Sequence, residues 1–169
     1  WPGETLARQA APPPIVLQAA SGAAQEGGIG TYCWDGQCAD MQSTPFPECP
    51  LTVSEGEALA LDTSALGTVA SLSYSIWEAT GGTWPVEPAW SGEVVLAPGT
   101  PEASDAGGGT PLPIDLPPGH YLIEVFAKVA DGDTLQGFSV WVQAAGAATA
   151  EPGLASPVGM PADCVPAAA

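Results

Sequence analysis

The sequence predicts an all-β domain, a sandwich or small barrel of about seven to nine short antiparallel strands. Three observations carry that expectation. First, Tyr121, Ile123, Val125, Ala127 and Val129 recur at every second position, which is the period of a strand with one buried face. Second, 21 Gly and 19 Pro gather at the chain ends and in two loops, leaving clean apolar segments between them. Third, no ten-residue stretch carries the 3.6-residue spacing of an amphipathic helix.

The elements follow in chain order. Ile15, Val16 and Leu17 form a short apolar run after Pro12-Pro13-Pro14 and read as the first strand. Residues 29–34 and 37–41 flank Asp35-Gly36, a pair suited to the positive φ angles of a tight hairpin turn. Residues 51–53 and 58–61 bracket the turn Ser54-Glu55-Gly56-Glu57. Leu72, Tyr74 and Ile76 alternate with Ser71, Ser73 and Ser75, a strand with one wet face. Residues 93–96 read as another short strand. The long strand from Tyr121 turns at Asp131-Gly132-Asp133 into a last strand carrying Phe138, Val140 and Val142. On these two strands the opposite positions are also apolar. Leu122 and Phe126 lie on one, Leu135 and Trp141 on the other, so a shared outer face would be an apolar patch awaiting cover by a tail, a partner or a ligand.

Residues 13–143 are therefore taken as the domain, with an N-terminal tail over 1–12 and a C-terminal tail over 144–169. Both tails are rich in Ala, Gly and Pro and bury little by themselves. They are expected to lie along their own domain or to be held by a neighbouring chain. Leu116-Pro117-Pro118-Gly119-His120-Tyr121 leads into the best strand. Its Pro-Gly-x-Tyr pattern resembles the corner of immunoglobulin-like and fibronectin-like domains, which implies an Ig-like antiparallel sandwich.

Charge excludes whole classes of partner. Nineteen acids face only Arg8 and Lys128, for a net charge of −17. Nucleic acid and anionic membrane surfaces both require clustered cations. Salt bridges cannot hold such a fold, and most carboxylates must sit in water. No apolar run is long enough for a transmembrane helix. The chain starts at Trp1 rather than Met and is expected to be a processed form, and the lack of Asn removes any N-glycosylation sequon.

Cys33, Cys38, Cys49 and Cys164 allow three pairings. The expected one is Cys33–Cys38 across the hairpin and Cys49–Cys164 tying the C-terminal tail to the domain. The rival is Cys33–Cys49 with Cys38–Cys164. A zinc site is disfavoured, because Cys49 and Cys164 have no local spacing and no histidine lies near. The segment Gly30-Thr31-Tyr32-Cys33-Trp34, followed by Cys38-Ala39-Asp40, resembles one shared by uncharacterised exported bacterial proteins, which follow a proline-led first strand like Pro14-Ile15-Val16-Leu17. That resemblance implies an exported or cell-surface location and a small β domain. It implies no activity.

Chemistry is sparse in the sequence. His120 is the sole histidine, beside a Pro-Pro-Gly turn, and reads as a turn residue rather than a general base. No phosphate loop or dinucleotide fingerprint occurs, and no cofactor is expected. Asp131 and Asp133 are weak calcium candidates, since Asp-Gly is equally an ordinary turn. Trp84 and Trp90, in the loop 81–92, could stack on a sugar or plug the sandwich edge. The expected function is thus a non-catalytic extracellular structural or protein-interaction module. It could be a surface or filament subunit whose partners are copies of itself or other surface proteins. The alternative is a secreted carbohydrate- or calcium-binding module using the loop tryptophans.

Overall fold

The computed structural model describes residues 11–79, 83–96, 109–130, 132–146 and Cys164. The expected tails fall outside these residues except for 11–12, 144–146 and Cys164, and Asp131 falls outside them too. The strands are β1 (Val16–Ala19), β2 (Ala24–Glu26), β3 (Gly28–Trp34), β4 (Gln37–Ala39), β5 (Leu51–Ser54), β6 (Leu59–Asp62), β7 (Val69–Glu78), β8 (Trp90–Val94), β9 (Thr110–Pro111), β10 (Gly119–Val129) and β11 (Gly132–Gln143). They form two sheets, as a sandwich requires. The smaller runs β2-β1-β6-β9 and the larger β4-β3-β11-β10-β7-β8.

All pairings are antiparallel except one. β11 is paired along its first half by β3 and along its last residues by β5, which runs parallel to it. The backbone N–H of Ser139 falls between these two partners. The Gln25 side chain fills the gap: its Oε1 accepts from Ser139 N at 3.0 Å while its Nε2 donates to Cys49 O at 2.8 Å. An unpaired buried N–H would cost about 1–3 kcal/mol. One glutamine from the smaller sheet thus completes an edge of the larger one.

The core lies between the sheets. Ile15, Leu17 and Leu61 from one side meet Leu72, Ile76, Tyr121, Ile123, Val125, Phe138 and Val140 from the other, all essentially without solvent exposure. The alternation expected along β10 holds for its full length. Two polar side chains of β11, Thr134 and Gln136, join this core. Gln136 is fully buried on the inner face of β11 and accepts from Ile15 N at 2.7 Å. Its Nε2 donates to Pro13 O at 3.1 Å and to Thr134 Oγ1 at 3.3 Å. With its amide satisfied, Gln136 fixes where the first strand starts.

The hairpin β3–β4 turns at Asp35 (φ 50°) and Gly36 (φ 74°), the two positive angles its Asp-Gly sequence anticipates. Cys33 and Cys38 face each other across it and are bonded, and Cys49 is bonded to Cys164. At the entry to β10 the Tyr121 hydroxyl donates to Pro117 O at 2.8 Å. Burial, then the negative charge of Glu78, push this phenol up to about 12.

Two differences from the sequence reading stand out. The strand expected at 93–96 is β8, beginning three residues earlier at Trp90, and Val95 lies beyond it, 88% exposed. Gly92, which the sequence marks as a loop end, is inside the strand. Opposite it, Tyr74 sits so close that a Cβ at Gly92 would lie 2.8 Å from the phenol oxygen, so the absent side chain makes room for that ring. The short strands β2 and β9 carry no apolar alternation and were not expected.

Candidate functional site

The outer face of the larger sheet is the surface that its sequence left unexplained. Because Tyr121, Ile123 and Val125 point into the core, His120, Leu122, Glu124 and Phe126 point outward. Register places Phe126 opposite Leu135, His120 opposite Trp141 and Leu122 opposite Trp77. The four expected patch residues therefore share one face, joined by Trp77. Phe126 is 37% exposed, and Leu122, Leu135, Trp77 and Trp141 are half-buried.

Part of the face is covered by the chain itself. The connection between β4 and β5 crosses β3 and β11 through Thr44, Pro45 and Phe46. A Cβ on Gly137 would lie 2.8 Å from atoms of all three, and one on Gly28 would overlap the Pro45 carbonyl oxygen. The glycines allow this segment to lie directly on the sheet. The patch is thus divided: the middle of β11 is covered, while the β10–β7 side and the end bearing Trp141 are not.

That end carries an aromatic row. The His120 ring meets Trp84 edge-on, with centroids 5.1 Å apart, and Trp141 at 5.7 Å. Its Nε2 is 2.9 Å from Ser139 Oγ. Burial lowers the His120 pKa from its ordinary value, so the ring is neutral at pH 7. His120 is a strand residue that links Trp84 to Trp141, not the turn residue expected. The signal for this was in the sequence, since the apolar period of β10 starts at Tyr121 and forces its predecessor outward. A Ser–His pair invites a catalytic reading. However, Ser139 is only 3% exposed, and among the described residues no carboxylate bonds the other ring nitrogen. The pair orients the imidazole between two indoles.

The two loop tryptophans part company. Trp84 joins the outer row, whereas Trp90 packs edge-on against Tyr121 with centroids 5.9 Å apart. His120 and Tyr121 are consecutive strand residues and point to opposite faces, so Trp84 and Trp90 make no common platform. Trp90 instead lines an open cleft of about 350 Å³ with Tyr74, Ser91, Ile114, Asp115 and Leu116. Asp133 directs a carboxylate oxygen to the Cys33 backbone N–H at 3.2 Å, which occupies one of its acceptors in holding the hairpin. No group of three or more possible metal ligands gathers among the described residues. No helix there is long and apolar enough to cross a membrane.

Comparison with protein families, curated proteins and solved structures finds no match to this chain.

Proposed function

We propose that this chain is a non-catalytic extracellular interaction module that associates with copies of itself through the outer face of its larger sheet. One observation carries the reading. A row of Trp84, His120 and Trp141, continued by Leu122, Trp77 and Phe126, stands on the solvent side of strands that already bury their other face. Large aromatic side chains supply most of the energy of protein interfaces, and a sheet face presents them rigidly. The two disulfides are compatible with an exported location.

Charge sets the conditions. Each copy carries −17, so two copies repel at long range. That repulsion reaches about 30 Å at 0.01 M salt and only about 8 Å at 0.15 M. Sedimentation equilibrium should therefore show association that strengthens as ionic strength rises. Trp141→Ser combined with Phe126→Ser should abolish it while leaving the far-ultraviolet circular dichroism of the β domain unchanged. A strict monomer at every ionic strength overturns the reading.

A further inference from the structure

The cleft beside Trp90 lies on the opposite side of the larger sheet from the aromatic row. Tyr74 and Trp90 occupy inner-face positions of β7 and β8, as register with Gly92 and Ile76 shows. Further along the same strands, Leu72 and Val94 are buried in the core. At Tyr74 and Trp90 the segment after β9 lines the other side of the cleft, bringing Ile114, Asp115 and Leu116. Two core-facing positions thus become cleft walls. Trp90 remains 36% exposed, and its contact with Tyr121 fixes the indole in place. The exposed Asp115 adds a carboxylate to the two aromatic rings.

We infer that this cleft binds a small organic cation, an alkylated ammonium group held by Trp90, Tyr74 and Asp115. Three physical facts point to a cation. Aromatic faces carry negative quadrupole charge and attract ammonium groups, most strongly for tryptophan. An ionised carboxylate offers only acceptors and a full opposite charge. The whole chain, at −17 with two cationic side chains, draws cations toward any cleft and repels anions. A neutral polyol would gain nothing from that field. The volume, about 350 Å³, is at the small end of the range for small-molecule sites.

The probe is choline, compared with its neutral isostere in which carbon replaces the nitrogen, and with glucose. The Ser91 backbone amide resonance of the whole chain should shift saturably with choline. Binding should weaken with added salt, and the isostere should bind at least about fivefold more weakly. Asp115→Asn, which keeps the shape of the exposed side chain, and Trp90→Ala should each weaken choline by a similar factor. Trp141→Ser, on the other face, should leave it unchanged. The inference is overturned by no saturable shift, by equal affinity for the isostere, by a response to glucose instead, or by unaltered choline binding in both cleft variants. The outer-face association is read separately by sedimentation, so either conclusion can fail alone.

Discussion

At the scale of single residues, absent side chains matter as much as present ones. Gly137 is buried in the middle of β11 with Thr44, Pro45 and Phe46 lying on its Cα. Gly137→Val would push that segment off the sheet. Overpacking of this kind costs about 1–3 kcal/mol, and urea denaturation should report a loss in that range. Gly22→Ala, at an open position with φ 92°, would strain the backbone without displacing a neighbour, which separates the two causes.

His120 supplies the pH dependence. It is the sole histidine, and its folded pKa is depressed by burial. Its contribution to stability is therefore fully present above the unfolded pKa of about 6.5 and is lost as pH falls through the lower folded value. The melting temperature should drop between neutral and mildly acid pH in the wild type, and His120→Gln should remove that drop. A persistent drop in the variant would assign the effect to other groups. Nothing in the Pro-Pro-Gly-His spelling announces the two flanking indoles, because Trp84 and Trp141 come from distant parts of the chain.

At the scale of elements, legibility followed local pattern. The hairpin β3–β4 was readable because Asp35-Gly36 specifies its turn and the cysteines sit at opposing positions of the resulting register. β10 was readable because Tyr121, Ile123, Val125, Ala127 and Val129 recur at every second position, and those are the residues it buries. β2 and β9 were not readable. They are three and two residues long and exist by pairing with β1 and β6, which no local signal encodes. The parallel pairing of β5 with β11 was equally hidden, because strand direction leaves no mark in alternation.

At the scale of the molecule, the disulfides differ in what they close. Cys33–Cys38 spans five residues already held by a tight turn, and Cys49–Cys164 spans 115. Loop entropy assigns about 2 kcal/mol to the first and about 5 kcal/mol to the second. Replacing Cys49 and Cys164 together by serine should lower the melting temperature more than replacing Cys33 and Cys38. The reverse order would mean that the hairpin staple supports β3 against β11, rather than merely shortening the unfolded chain.

The sequence by itself determined the all-β class, most strand positions and the net charge of −17, and it favoured over its rival the disulfide pairing that the structure shows. Each of these depends on neighbours along the chain, on the count of charges, or on how many cysteines are available. Only the tertiary structure decided how the tryptophans divide, with Trp84 over His120 and Trp90 beside Asp115. It also decided that residues 44–46 lie on the middle of β11, and that Gln136 and Gln25 complete hydrogen bonds between the sheets. The physical reason is the same throughout. Side-chain alternation says that a residue faces outward or inward, but which groups it then meets depends on strand order and register. Both are set by contacts between residues far apart in the chain.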